Sequence, residues 1–327
     1  MTDDSLPRTR GAVARLLDTA LAQGMLASGD VAVGVSGGAD SLALAAATCY
    51  VAQRRDLRVR GLIVDHGLQA GSAQVAEDAA ATLRKLGIGT VLVLPVAVGT
   101  DGGPEAAARR SRYAALRAAV PAPDALVLLG HTLDDQAETV LLGLGRGSGP
   151  RSISGMRPLD PPWGRPFLGL SRAVTVAACA RLGITPWADP HNTDPRFTRV
   201  RLRAEVLPLL EDVLNGGVAA ALARTATQLR EDTEALDQWA ENALAQALPE
   251  GGGEIEVAAV LALPPSVRRR VLRRWLLAGD VRELTDAQLR RVDELVGVWR
   301  GQGGVWLPGG LVVRRAHGRL HLVRPNQ

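Results

Sequence analysis

Ser36-Gly37-Gly38-Ala39-Asp40-Ser41 follows an apolar run at 31–35 and leads into a segment with apolar residues at helical spacing. In that order the residues suit a phosphate chain. Glycines let backbone N–H groups approach phosphate oxygens, and the positive end of the following helix points at the anion. Ser36 and Ser41 add hydroxyl donors, and Asp40 can hold Mg2+ against the phosphates. The loop lacks the lysine of G-x-x-x-x-G-K-[ST] and the spacing of G-x-G-x-x-G, so neither of those sites is expected. A glycine-rich turn that binds nothing is the plain alternative, and the strand–loop–helix order favours phosphate over it.

Other residues with chemical potential fall at later loops. Val64-Asp65-His66 ends a second apolar run, where His66 either serves a nucleotide or caps the next helix. Gly130-His131 opens a third such loop, followed by Asp134, Asp135 and Glu138. Asp134 and Glu138 share a helix face, with Asp135 beside them. Carboxylates in a first turn complement the helix dipole, but these stand over the same sheet edge as Asp40, which suits metal binding or proton abstraction. Glu105 and Arg109 are spaced as an ordinary i,i+4 pair, while Arg109 and Arg112 share a face and present guanidinium forks suited to phosphate. The glycine-rich stretch at 143–149 carries Arg146, with Arg151 beyond it, and reads equally as a flexible loop or as a substrate contact. Arg196, Arg199, Arg201 and Arg203 lie within eight residues. Helical spacing puts Arg196, Arg199 and Arg203 on one face, a plausible contact for backbone phosphates.

Loops of this kind need a frame. Apolar runs at 31–35, 62–64, 90–96 and 126–129 alternate with helical patterns at 41–54, 73–86 and 105–119. That alternation is the mark of βαβ units and a doubly wound parallel α/β sheet, whose ligands bind off the carboxyl ends of the strands. From 203 to 247 the texture becomes Ala/Leu-rich and helical, broken at Asn215-Gly216-Gly217. Helical stretches at 265–278 and 285–299 and a glycine-punctuated β-like tail at 301–323 follow. The expected domains are 1–215 and a smaller, mostly helical one at 216–327.

Composition narrows the classes. With 327 residues, 46% hydrophobic and 22% charged, the chain can bury two cores and no window reads as a membrane span. Its polar start is no secretory signal, so a cytoplasmic location away from any membrane is expected. Cys49 and Cys179 form no C-x-x-C pair, which argues against zinc, iron–sulfur and redox motifs. The net charge of +4 is compatible with nucleic acid, and Lys85 is the only lysine. A lysine nucleophile therefore has almost nowhere to come from.

S-G-G-x-D-S after an apolar strand resembles the loop of the PP-loop ATP pyrophosphatases, adenine-nucleotide α-hydrolase-like enzymes. With VDHGLQ, E-x-x-x-R-x-x-RY, GHTLDDQAET, RGSG, Gly155-Met156 and W-x-D-P-x-N-x-D…R in order, the first 210 residues or so resemble the tRNA(Ile)-lysidine synthetases. The arginine-rich 268–274 stretch resembles their smaller tRNA-binding domain less distinctively. Other PP-loop enzymes fit less well: thiolases use cysteine pairs, and small-molecule synthetases need no arginine-rich second domain. An RNA-binding module without ATP chemistry is the reading from another class, and the intact loop and carboxylates oppose it.

The resemblance implies ATP-dependent ligation of free L-lysine to C2 of the wobble cytidine of an isoleucine tRNA with a CAU anticodon. An adenylated cytidine is the intermediate, and pyrophosphate and AMP are released. Residues 36–41 with Val64, His66, Gly130 and His131 would bind ATP, and Asp40 with Asp135 would hold Mg2+. Asp134 or Glu138 would handle the amine proton, and Arg109 or Arg199 would stabilise the α-phosphate. Arg112, Arg146, Arg151, Arg196, Arg203, Arg268, Arg269 and Arg273 would contact tRNA. His191 and Val200 stand where the family usually has Ser and Asn; His can still hydrogen-bond, whereas Val cannot. The sequence leaves the oligomeric state open, a homodimer being one arrangement.

Overall fold

The computed structural model describes residues 3–67, 71–97, 99, 103–120, 122–147, 149–248 and 253–324. Leu68, Gln69 and Ser148, which belong to motifs quoted above, lie outside them, as does the side chain of Glu105. The chain forms two compact units, one up to Thr227 and one from Gln228. Gly216 and Gly217, both at positive φ, break the chain between helices, and the division between units falls inside the next helix.

The first unit opens on helix α1 (Ser5–Ala22), which lies outside the segments expected from the sequence. Strands β1 (Asp30–Val35), β2 (Arg58–Asp65), β3 (Thr90–Pro95) and β4 (Leu126–Leu129) then alternate with α2 (Ala39–Ala52), α3 (Ser72–Lys85) and α4 (Pro104–Ala118). After β4 come α5 (Leu133–Arg146), α6 (Pro150–Ile153), β5 (Leu159–Asp160), β6 (Trp163–Gly164) and α7 (Arg172–Arg181). Short helices α8 (Thr198–Arg201) and α9 (Leu207–Val213) flank a π-helical turn at Leu202–Val206, and α10 (Val218–Ala247) follows.

The sheet order is β3-β2-β1-β4-β6-β5, parallel except for β5. β1 pairs with β2 on one side and β4 on the other, so the crossovers reverse direction between β1 and β4. A crevice at the carboxyl ends of those two strands is where such a sheet binds ligands. One face is covered by α1, α2, α3 and α7, with Val31, Val33, Leu44, Leu83 and Phe167 buried there. The other packs Ala32, Leu62, Val127 and Trp163 against Leu116 of α4. Strands buried on both faces must be apolar throughout, which is why their runs stand out in the sequence.

The second unit holds β7 (Ile255–Glu256), α11 (Val257–Leu261), α12 (Pro265–Ala278), α13 (Asp286–Gly297), β8 (Val305–Leu307), β9 (Leu311–Ala316) and β10 (Arg319–Val323). The β-like tail thus supplies β8, β9 and β10, which β7 joins from upstream in a four-stranded sheet of order β7-β10-β9-β8. Val271, Leu272, Trp275 and Leu276 of α12 enter its core.

Arg268 corrects an expectation. It is buried rather than presented to nucleic acid, its Nε donating to Asp293 Oδ1 at 2.6 Å and its Nη1 to the carbonyls of Leu261 and Leu263 at 3.3 Å. Arg269 leans on the same carboxylate at 3.7 Å, and Arg270 pairs with Asp237 at 3.0 Å. Arg273 is half-buried. Much of this arginine run therefore neutralises acids of its own unit. Arg268→Ala leaves Asp293 a buried charge short of its main partner and is expected to cost about 3–5 kcal/mol in urea unfolding.

Candidate active site

The 36–41 loop caps β1 as expected. Ser41 Oγ donates to the Gly38 carbonyl at 2.9 Å and accepts the Ser36 N–H at 3.2 Å, closing the turn. Gly37 has φ +83°, which favours glycine, and its carbonyl accepts the Trp187 N–H at 3.0 Å. Gly130, at the end of β4, lies under the start of α2: a Cβ there would stand 2.9 Å from the Asp40 backbone carbon and 3.0 Å from Ser41 N. The two loops thus touch through main chain, which brings their carboxylates together.

Asp135 is held by its own helix start. Its Oδ2 accepts from Thr132 N at 2.8 Å and Thr132 Oγ1 at 2.9 Å in a capping box. Between Asp135 and Asp40 lies Arg172, the first residue of α7. Its Nε donates to Asp40 Oδ2 at 3.0 Å and its Nη2 to Asp135 Oδ1 at 3.1 Å. The Arg172 backbone N–H donates to Asp134 Oδ2 at 2.8 Å, so Asp134 anchors α7. Thr175 Oγ1 donates to Asp40 Oδ1.

Glu138, one turn further along α5, is fully buried, and Arg203 from the π-helical turn reaches it at 2.7 Å. Arg199 Nη1 stands 3.5 Å from Glu138 Oε2, an oxygen that accepts no hydrogen bond. Arg196 does not join them. It precedes α8 and turns outward onto Asp194 at 2.6 Å, so the expected face of Arg196, Arg199 and Arg203 is split. Arg203, read as a tRNA contact, belongs to the carboxylate cluster. Arg109 is exposed and stacked on Tyr113, its Cζ 4.8 Å from the ring centre. Arg112 lies near His66 and His131 and adds to the burial that lowers the pKa of both. Arg146, in the last turn of α5, and Arg151, in α6, are exposed. Gln136 clamps the backbone of Met156 through both amide atoms, at 2.7 and 3.0 Å, which explains the Gly155-Met156 motif. His191 sits edge-on to Phe197 with ring centres 5.7 Å apart.

Burial dominates the electrostatics. It raises the carboxyl pKa of Asp40 against the pull of Arg172, and that of Glu138 against Arg203. For Asp135, Arg172 and the Thr132 N–H outweigh burial and the pKa falls. Burial, helped by Arg165, Arg112 and Arg109 against Asp135, pushes His131 down to about 3. Burial likewise lifts the Cys49 and Cys179 thiols to about 11, leaving both protonated.

Among the described residues no group of three His, Cys, Asp or Glu side chains forms a metal cage. Mg2+ does not need one, because one or two carboxylates and substrate phosphates commonly hold it. Asp40 and Asp135, close enough to share one guanidinium, fit that requirement. Among the described residues, the buried Nδ1 atoms of His66 and His131 have no hydrogen-bond partner.

Arg172 is the residue that the sequence reading missed. Its surroundings, Leu170-Ser171-Arg172-Ala173, form no phosphate or metal pattern. The available signal was a cation in the first turn of a helix, where the dipole disfavours it.

Residues 11–210 match a family model described as a PP-loop domain, and residues 256–321 one described as a TilS substrate binding domain. The chain is 60% identical over 297 residues to a tRNA(Ile)-lysidine synthase of Rhodococcus erythropolis, covering 89% of each. It is 62% identical over 275 residues to one of Mycobacterium tuberculosis, covering 84% of this chain and 83% of the other. A solved U34-tRNA thiolase, NcsA from Methanococcus maripaludis, superposes with a TM-score of 0.56 at 17% identity, over 71% of this chain and 81% of that one. The last likeness shows the fold alone.

Two outcomes follow from this geometry. Gly130→Ala drives a Cβ into the backbone of the phosphate loop and is expected to cost about 1–3 kcal/mol in urea unfolding. Nucleotide affinity, read by calorimetry, should fall with it. Because His131 binds its proton more weakly when folded, unfolding takes up protons between about pH 6.5 and 3. Its neutral state thus favours the fold above that window, and the contribution is lost as pH falls through it. His131→Asn should therefore lose less stability than the unsubstituted chain between pH 6.5 and 4, measured by urea unfolding at each pH.

Proposed function

The chain belongs to the tRNA(Ile)-lysidine synthase family, and from that membership we propose how its residues divide the reaction. It is a ligase that uses ATP and acts on tRNA. The finer reading is that free lysine is joined to C2 of the wobble cytidine in an isoleucine tRNA with a CAU anticodon, in the cytoplasm. The observation that carries it is the convergence of Asp40, Asp135 and Glu138 with Arg172, Arg199 and Arg203 over the 36–41 loop at the switch point of the sheet.

ATP lies with its β- and γ-phosphates on the loop amides and the Ser36 and Ser41 hydroxyls. Asp40 and Asp135 would hold Mg2+, whose charge would offset that of the phosphates. The cytidine C2 oxygen attacks the α-phosphate, giving an adenylated base and pyrophosphate. Arg199 and Arg112, both directed inward, stabilise charge at the α-phosphate in preference to the outward Arg109. The ε-amine of lysine then attacks C2 and AMP leaves. That amine, with an ordinary pKa of about 10.4, must give up a proton. Glu138, whose own pKa is raised, accepts it more readily than Asp134, which is committed to the α7 backbone. The target base must be unstacked to reach this crevice. The exposed Arg146 and Arg151 contact tRNA, as do Arg196 and Arg273.

The test is transfer of labelled lysine to an isoleucine tRNA transcript bearing CAU. Stable label that depends on ATP, Mg2+ and the wobble cytidine is expected. Release of pyrophosphate with tRNA but without lysine transfer overturns the nucleophile and leaves the activation step. Asp40→Asn should lower tRNA-dependent pyrophosphate release by about 100-fold or more. Full activity in that variant overturns the metal assignment.

A further inference from the structure

Arg172 bridges the two carboxylates assigned above to a divalent cation. Its fork engages Oδ2 of Asp40 at 3.0 Å and Oδ1 of Asp135 at 3.1 Å. A metal ion bound to those same two oxygens would compete with the guanidinium for their lone pairs, and the two positive charges would repel. We propose that Arg172 is a resident counter-cation: it keeps the Asp40–Asp135 pair neutralised and aligned until a nucleotide arrives, and then yields the pair to the divalent cation. This rests on the assignment of Asp40 and Asp135 as Mg2+ ligands.

The fold supports such an exchange. The main chain of Arg172 is fixed, its N–H on Asp134 at 2.8 Å, and the adjoining segment is tied by Leu133 N to the Leu170 carbonyl at 2.9 Å. Only the side chain must rotate, and it is partly solvent-exposed, at 30%. Asp40 does not depend on the fork alone, since Thr175 Oγ1 holds its Oδ1. Asp135 keeps its two Thr132 hydrogen bonds, which are made to its other oxygen. Both carboxylates can therefore stay in place when the guanidinium leaves. A bound triphosphate offers the metal further oxygens and offers the released fork a new anion. Metal uptake is thereby made conditional on nucleotide.

Arg172 acts here as a positioning residue, and Mn2+ binding to the full chain tests the role directly. Free and bound Mn2+ are separated by electron paramagnetic resonance, with and without α,β-methylene-ATP. The unsubstituted chain should take up Mn2+ weakly alone and strongly with the analogue. Arg172→Gln should bind Mn2+ without nucleotide roughly tenfold or more tightly, since one positive charge beside the pair is gone. Arg172→Lys, a point charge without the fork, should fall between. If Arg172→Gln lowers the melting temperature yet leaves Mn2+ affinity unchanged, Arg172 is a structural ion pair and the proposal is overturned. Asp40→Asn and Asp135→Asn separate the two readings. If analogue-dependent uptake survives both, the metal assignment itself fails; if it is lost, only the Arg172 result bears on the exchange. Should Arg172→Gln not fold, the Nε–H signal of Arg172 in 15N-arginine-labelled protein, assigned through Arg172→Lys, serves instead. It should shift when Mg2+ joins the analogue, and an unmoved signal overturns the proposal.

Discussion

A charge taken out of water must find an opposite charge, and this constraint shapes the carboxyl edge of the first sheet. Asp40, Asp135 and Glu138 are all withdrawn from solvent at that edge. Arg172, Arg199 and Arg203 come in with them, from parts of the chain that share no motif. The price is a set of groups that cannot ionise as they would in water: burial raises Asp40 and Glu138 even with their arginines present. Glu138 Oε2 and the two histidine Nδ1 atoms, which make no hydrogen bond among the described residues, express the same imbalance.

The backbone makes this concentration possible. Reversal of the crossovers between β1 and β4 opens the crevice, and close approach of the two loops puts Asp40 and Asp135 within reach of one guanidinium. Gly130 is the point of contact, because any side chain there would meet the start of α2. The charged cluster and the glycine are therefore one design: without the close approach, Arg172 would bridge nothing.

What could be read in the sequence was local. Strands buried on both faces show as unbroken apolar runs, and the 126–129 run coincides with β4. The phosphate loop and the Asp134-Asp135…Glu138 pattern each lie within a few residues, so type and spacing suffice to find them. Arg172 could not be found that way, because its partners are 132 and 37 residues away. Arg268 was misread for the same reason: its acid, Asp293, is 25 residues away on another helix. Helix α1 is a different case. Its buried Thr9, Ala12, Val13, Leu16, Leu17 and Ala20 follow helical spacing, so the signal was present in the residues themselves.

The arginines show why a basic chain cannot be equated with a nucleic-acid surface. With Lys85 as the only lysine, nearly every positive charge is a planar fork. A fork can satisfy two carboxylate oxygens at once, which suits it to interior pairing as well as to phosphate. Arg268, Arg172 and Arg203 all demonstrate the first use. Of the residues first assigned to tRNA, Arg146, Arg151 and Arg196 are exposed, whereas Arg203 and Arg268 are turned to acids of their own units. A surface for tRNA must therefore be assembled from arginines not committed to interior pairs.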